Sequence, residues 1–157
     1  MTCFNDQLIV VPTDMSEFSL KALDVADRLA GDRAHIRVVH VIAVIEPIDP
    51  EATWVVVDEP MRREHTLRQL GDFLAGHGFS DVLFDVLIGN AGTEIAEYAG
   101  HIGAGLIVIP SHGRGPIKRL LLGSTTDRVV HLSHCPVLVL KEDLKNAERK
   151  TPHAESL

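Results

Sequence analysis

Cysteine is scarce in this sequence. Its 157 residues contain only Cys3 and Cys135, which are too few and too widely spaced to indicate a disulfide framework or a thiol-rich zinc site. There is also no apolar run of the roughly 18 residues that a membrane-spanning helix needs, and the first residues lack a basic segment followed by an apolar core and a cleavage site. We therefore expect a cytoplasmic protein that has no membrane partner.

Positive charge is also in short supply. The chain carries 15 Lys and Arg against 22 Asp and Glu, which gives a formal net charge of -7 at pH 7. Nonspecific binding to nucleic acids depends on clustered Lys and Arg, so this balance predicts no nucleic-acid partner. The remaining composition, 45% hydrophobic and 24% charged residues, is ordinary for a globular protein.

Short apolar, β-branched runs alternate along the chain with segments of helical periodicity. The predicted strands are residues 7–12, 35–45, 81–89, 106–110 and 136–140. The predicted helices run from Asp14 to Ala30, around Leu67 to Gly76, around Ile95 to Ile102, and from Ser124 to Leu132. This alternation predicts a single α/β domain over residues 1–142, with a Rossmann-like, five-stranded, mostly parallel sheet covered by helices on both faces.

Two segments depart from this rhythm. Prolines bound the segment from Pro47 to Pro60, which favours a surface loop over an extra edge strand at residues 54–57. Residues 143–157 are polar and have no apolar periodicity, so we expect a flexible C-terminal tail.

The stretch after the fourth predicted strand carries the clearest chemical signal. Ligands of open parallel sheets bind beyond the carboxyl ends of the strands, and this stretch contains Gly113 and Gly115, then Gly123 and Ser124 where a helix should begin. Glycines let backbone N–H groups approach an anion, and a helix N-terminus offers unsatisfied donors and the positive end of a dipole. The pattern predicts a phosphate site. Nearby basic residues, which equally fit a solvent-exposed face, are Arg114, Lys118 and Arg119.

These residues resemble the universal stress protein family, whose nucleotide-binding members carry Gly-x2-Gly-x9-Gly-Ser/Thr after the fourth strand. Here the window reads Pro110-Ser111-His112-Gly113, then nine residues, then Gly123-Ser124. The similarity extends to VPTDMS near the start, VVHVI in the second strand and HCPVLVLK near the end. The resemblance implies an ATP-binding stress-response module, with Mg²⁺ accompanying the phosphates, and a homodimer formed through the strand from Pro136 to Leu140.

The resemblance also implies roles for individual residues. Pro12 and Asp14 would border the nucleoside, with the Asp14 carboxylate on the ribose hydroxyls, Val41 would contact adenine, and Ile109 would flank the adenosine. The implied phosphate-binding residues are Gly113, Gly123, Ser124 and Thr125. Pro110 stands where the family has its first motif glycine, and proline has no N–H to donate.

Several of these residues have a purely structural alternative. Asp14 precedes Glu17 by three residues, which is the spacing of a helix capping box, and Ser124 precedes Asp127 in the same way. A pair of histidines, His131 and His134, would lie on one helix face, but no third or fourth metal ligand is evident, so we predict no metal site.

Three functions compete at this point. The first is an ATP-binding regulatory module, and the second is a dimeric interaction module of the same fold in which Pro110 has abolished nucleotide binding. The third, a phosphorylatable receiver domain, is excluded because the third strand ends Leu87-Ile88-Gly89-Asn90 without the required carboxylate. No catalytic nucleophile can be assigned from the spacing of Ser111 and His112, so we expect at most a slow ATPase.

Overall fold

The computed structural model describes residues 6–45, 58–112 and 122–141. In chain order the elements are β1 (Ile9–Pro12), α1 (Glu17–Ala30), a 3-10 turn (Arg33–His35), β2 (Ile36–Ile42), α2 (Glu59–Gly76), β3 (Leu83–Ile88), α3 (Ala91–His101), β4 (Leu106–Pro110), α4 (Ser124–Leu132) and β5 (Val137–Leu140). The five strands form one parallel sheet in the order β3-β2-β1-β4-β5. The predicted five-stranded α/β fold is confirmed. Within the described ranges, no helix is both long and apolar enough to cross a bilayer.

The central strand β1 is buried on both faces. Ile9 and Val11 pack in one core cluster with side chains of α1 and α2, while Val10 packs in a second cluster with side chains of α3 and α4. All three side chains have no exposed surface. The continuous apolar run in the sequence follows from this burial, because a strand covered by helices on both faces needs no polar positions.

The direction in which successive strands are added to the sheet reverses between β1 and β4. The chain runs outward from β1 through β2 to β3, returns to place β4 on the other side of β1, and continues outward to β5. The connections that follow β1 and β4 therefore leave in opposite directions. Such a switch point opens a crevice at the carboxyl ends of the two strands.

Two prolines lie at this crevice. The N–H of Thr13 donates to the Val39 carbonyl of β2, and the N–H of Ser111 donates to the Leu140 carbonyl of β5. Because successive residues of a strand point their peptide groups to opposite sides, Pro12 and Pro110 face each other across the line between β1 and β4. Neither has an N–H. The pairing of these strands covers only residues 9–10 with residues 106–107, and it stops before the prolines.

The helix starts differ from the capping-box expectations. The cap of α1 is Ser16, whose Oγ accepts the N–H of Ser19, whereas Asp14 Oδ1 accepts the N–H of Ser16 in a turn before the helix. The cap of α4 is Gly123, so Ser124 is its first helical residue. The structural alternative of a capping box therefore does not apply to Asp14 or Ser124, because neither residue occupies the cap position.

Other boundaries shift by a few residues. Helix α3 ends at His101, with Ile102 as its C-terminal cap. Helix α2 already begins at Glu59, because Asp58 accepts the N–H of Met61 and a proline is tolerated in the first turn. The expected loop therefore ends sooner than predicted, and its residues 47–57 lie outside the described part of the chain. The expected tail at 143–157 also lies outside it.

An ion-pair cluster joins three segments near the amino-terminal ends of β2 and β3. The Arg33 guanidinium donates to Asp27 at 2.9 Å, to Asp81 at 2.8 Å and to the Gly78 carbonyl at 2.8 Å. Its carbon lies 4.7 Å from the centre of the Phe79 ring, within range of a cation–π contact. The cluster joins α1, the 3-10 turn and the segment before β3. The hydrogen bond from Arg33 holds the pKa of Asp81 below its ordinary value.

This pKa shift predicts a pH-dependent contribution to stability. A carboxylate with a lowered folded-state pKa stabilises the protein above its unfolded pKa of 3.8, and that contribution is lost as the pH falls through the folded-state value. Asp81→Asn should lower the melting temperature at pH 7, and the difference from the wild type should shrink below about pH 4 as Asp81 protonates. Calorimetric scans from pH 7 to pH 3 measure this difference. Asp72→Asn, at an exposed position of α2, is the control, and an Asp81→Asn effect independent of pH would contradict the prediction.

Candidate functional site

A cavity of about 330 Å³ opens at the switch point, between the carboxyl ends of β1, β2 and β4 and the first turn of α4. It brings together the sequence-predicted site residues that the structure describes. These are Pro12, Asp14, Val41, Ile109, Pro110, Gly123, Ser124 and Thr125. The ninth predicted residue, Gly113, lies outside the described part of the chain.

Half of the lining was not predicted from the sequence. The residues missed as site residues are Thr13, Ser19, Val39, His40, Ala91, Ile95, His112 and Thr126. Among these, Ala91 and Ile95 come from α3, which follows β3 at the far edge of the sheet. His112 and Thr126 had a sequence signal, because they flank the glycine-bearing stretch on either side.

Asp14 lies in a tightly bonded turn between β1 and α1. The Thr13 hydroxyl accepts the N–H of Met15 at 2.9 Å and contacts the Ser19 hydroxyl at 2.8 Å, while Asp14 Oδ1 accepts the N–H of Ser16 at 3.0 Å. The second carboxylate oxygen, Oδ2, is buried without a hydrogen-bond partner. Buried polar atoms are normally satisfied. An unpartnered carboxylate oxygen in the lining of a cavity is a ready acceptor for a ligand donor.

His40 presents a second acceptor near this turn. Its Nδ1 lies 2.7 Å from the Thr13 carbonyl oxygen. A carbonyl oxygen only accepts, so the Nδ1 atom carries the proton. When the imidazole is neutral, its Nε2 atom is therefore a hydrogen-bond acceptor.

His112 contributes a polar atom from the other side of the cavity. Its Nδ1 lies 2.9 Å from the Ser111 hydroxyl, and its Nε2 is buried without a partner. The Ser111 hydroxyl is able to donate or accept. The Nε2 atom can therefore meet either a donor or an acceptor on a ligand.

The first turn of α4 supplies backbone donors. Its cap, Gly123, has no side chain to bond the N–H groups of Ser124, Thr125 and Thr126, which have no partner among the described residues, and the first intrahelical bond runs from the Asp127 N–H to the Gly123 carbonyl. Side chains cap α1, α2 and α3. All three residues with free N–H groups line the cavity. Together with the helix dipole, this turn can bind an anion.

Two further hydrogen bonds hold this turn in place. The buried Thr126 hydroxyl donates to the Pro110 carbonyl at 2.7 Å, and the Gly123 N–H donates to the Ser111 carbonyl at 2.8 Å. Both bonds join α4 to the end of β4. The carbonyl of Pro110 is thereby occupied, and its ring nitrogen has no proton. At position 110, the backbone therefore offers a ligand little hydrogen bonding.

No metal cluster is found in the described ranges. No three His, Cys, Asp or Glu side chains converge there as metal ligands would. The two histidines considered as a pair do not share a helix face, because α4 ends at Leu132 and His134 follows it. His131 instead contacts its own helix, with Nδ1 2.8 Å from the Asp127 carbonyl oxygen.

The fold defines a small parallel α/β protein with a cavity at its switch point. The profile of the "Universal stress protein family" matches residues 7–141. Universal stress protein MJ0531 of Methanocaldococcus jannaschii is 32% identical over 142 residues, which cover 87% of this chain and 83% of the relative. Universal stress protein YxiE of Bacillus subtilis is 30% identical over 149 residues, which cover 88% of this chain and 99% of the relative.

Solved structures agree with these sequence matches. Universal stress protein UspA of Lactobacillus plantarum has a TM-score of 0.66 and 25% identity, with 87% of this chain and 98% of that chain covered. A universal stress protein in complex with cAMP has a TM-score of 0.57 and 26% identity, with 85% and 95% covered. The chain belongs to the universal stress protein family, and it is a stress-response module of that family.

Proposed function

We propose that this protein is an ATP-binding regulatory module, in which the bound nucleotide changes contacts between partners. The observation that carries the proposal is the uncapped first turn of α4, whose three free N–H groups line the same cavity as the unpartnered carboxylate oxygen of Asp14. An anion would accept hydrogen bonds from the N–H groups of α4, and a hydroxyl would donate a hydrogen bond to the Asp14 oxygen. A nucleotide carries both.

The cavity lining has an apolar part and a polar part, which correspond to the base and to the ribose and phosphates of a nucleotide. Apolar side chains of Val41, Ile95 and Ile109 offer a surface for a base, while Asp14 and His40 offer acceptors for ribose hydroxyls. Gly123, Ser124 and Thr125 would hold the phosphates, and Mg²⁺ would accompany those phosphates. Gly113 keeps its proposed phosphate role from the sequence pattern alone. The universal stress protein solved with cAMP gives further support, since a relative with this fold takes an adenine nucleotide.

The proposed site also connects to the edge of the sheet. Gly123 bonds to the Ser111 carbonyl, and the Ser111 N–H bonds to the Leu140 carbonyl at the end of β5. A ligand that shifts the first turn of α4 would therefore also shift the end of β5. We propose that this strand, with Pro136 before it, forms the interface of a homodimer in the cytoplasm. We assign no catalytic residue.

Nucleotide binding is tested directly on freshly purified protein. Denaturation should release ATP or ADP in near-stoichiometric amounts by chromatography, and calorimetry with Mg²⁺ and ATP should give a saturable signal. Gly123→Leu should abolish both, because a side chain at the cap would block the donors of α4. Gly76→Leu is the matched control, since a Cβ at that glycine meets no atom within 4 Å. Absence of heat and of a thermal shift at millimolar ATP would instead favour a dimeric interaction module that binds no nucleotide.

Pro110 should weaken binding relative to a glycine at the same position. Pro110→Gly restores an N–H that faces the crevice, and one hydrogen bond to a charged group corresponds to about ten- to a hundredfold in affinity. Titration calorimetry should therefore show tighter ATP binding by this variant. Pro60→Gly, at an exposed position in the first turn of α2, controls for the added backbone freedom. Equal affinities for Pro110→Gly and the wild type would mean that position 110 donates nothing to the nucleotide.

The homodimer prediction uses the direction of the peptide groups in β5. The Ile107 N–H donates to the Pro136 carbonyl, so Val137 points its own N–H away from β4. Val137→Pro removes an outward donor and leaves the pairing with β4 intact, so it should convert a dimer into a monomer. Light scattering at micromolar concentration measures the mass. Val137→Thr, which keeps the N–H, should remain dimeric, and a monomeric wild type would refute the interface.

A further inference from the structure

The opposite edge of the sheet, β3, is closed by side chains. The Gly89 N–H donates to the Ile42 carbonyl of β2 at 3.0 Å. Peptide groups alternate along a strand, so Val86 points both its N–H and its C=O away from the sheet. They are the middle outward groups of the edge, with those of Phe84 and Ile88 on either side, and a further strand that runs along the edge would have to pair with both groups of Val86. In this molecule both are already occupied.

The occupants are Arg63 of α2 and Asp85 of β3 itself. Arg63 Nε donates to the Val86 carbonyl at 2.9 Å, and Asp85 Oδ1 accepts the Val86 N–H at 2.9 Å. Arg63 Nη2 also donates to Asp85 Oδ1 at 2.6 Å, which joins the two side chains to each other. We call these two residues the Arg63–Asp85 pair.

The Arg63 side chain lies across the outside of the strand. Val86 packs in the core cluster on the α1 and α2 face, so its neighbour Asp85 points to the α3 face. Burial raises the pKa of Tyr98 on α3, and the charge of Asp85 raises it further, which agrees with this placement. Arg63 comes from α2 and reaches Asp85 on the other face. A charged side chain therefore covers the middle of the edge.

Stability is a poor explanation for this arrangement. The side chains of Arg63 and Asp85 are 44% and 37% exposed, and exposed ion pairs contribute little to folding. Arg68 and Glu64 form an ion pair of the same length, 2.6 Å, on the same helix, yet neither touches the backbone of a strand. The Arg63–Asp85 pair differs because its side chains hydrogen-bond to the outward N–H and C=O of Val86.

The two edges differ in this respect. Within the described residues, no side chain bonds to the outward groups of Val137 or Val139 on β5. On β3, the side chains of Leu83 and Phe84 are 57% and 37% exposed beside the closed position. An apolar edge strand of this kind would otherwise invite a second chain.

We infer that the Arg63–Asp85 pair blocks strand addition at β3, so that two copies of this chain associate only through β5 and the assembly stops at two. A molecule with two open edges could extend its sheet without limit, whereas a molecule with one open edge is capped by a single partner. The inference uses the proposed β5 dimer only to fix the size of the assembly. The closure of β3 is a separate claim.

The test combines Arg63→Ala with Asp85→Ala and measures mass by light scattering over a range of protein concentrations. The double variant should form assemblies that grow with concentration beyond the wild-type mass. In a Val137→Pro background, which closes β5, the same double variant should stop at a dimer. Arg68→Ala, which breaks the comparable ion pair of α2, should leave the mass unchanged. If the wild type is monomeric, the double variant should dimerise, so failure of the β5 interface and failure of this inference give different results.

Amide exchange provides the second readout. Asp85→Ala alone should speed exchange of the Val86 N–H by about tenfold or more after correction for its intrinsic rate, because an outward amide would lose its acceptor. Arg63→Met and Asp85→Asn are milder versions for use if the alanine variants do not fold. A folded double variant that keeps the wild-type mass would overturn the inference. A wild-type assembly larger than a dimer whose Val86 protection falls on dilution would overturn it as well.

Discussion

The site depends on one constraint, the separation of β1 from β4 after their first paired residues. Pro12 and Pro110 face each other at this point, and neither can donate the hydrogen bond that would continue the ladder. Topology brings the two strands together with connections that leave in opposite directions, and the prolines add no N–H donor that could extend the pairing. The cavity occupies the resulting gap. Its polar lining is then supplied by the turn before α1 and the first turn of α4.

Pro110, which stands in place of the family's glycine, takes part in the structure of the site through its carbonyl. Its carbonyl receives the Thr126 hydroxyl, so α4 is anchored to β4 by the residue that departs from the motif. The same residue withholds an N–H from the ligand side. Position 110 therefore keeps a backbone contact that any residue could make, and it lacks only the N–H that a glycine would present to the crevice.

The two edges of the sheet have complementary properties. The β5 end is joined to the cavity through Ser111, and its outward backbone groups are open among the described residues. The β3 end is remote from the cavity and is closed by the Arg63–Asp85 pair. Among the described residues, β5 is the edge that combines open outward groups with a connection to the cavity. The Arg63–Asp85 pair contributes little to folding, and its inferred role comes from its hydrogen bonds to the N–H and C=O of Val86.

The sequence alone determined the repeated strand and helix pattern and the glycine-bearing stretch before α4, and its resemblance to the universal stress protein family added Pro12, Asp14, Val41 and Ile109 to the residues expected at the cavity. These signals are local, because apolar periodicity, glycines and prolines act on their own segments. The helix caps at Ser16 and Gly123 were missed, since several polar residues near a helix start compete for one position. Strand order, the arrival of Ala91 and Ile95 from α3, the bond from His40 to Thr13 and the closure of β3 by Arg63 were decided only by the tertiary structure. Each joins residues distant in sequence, and no local pattern specifies which distant segments the packed sheet will place side by side.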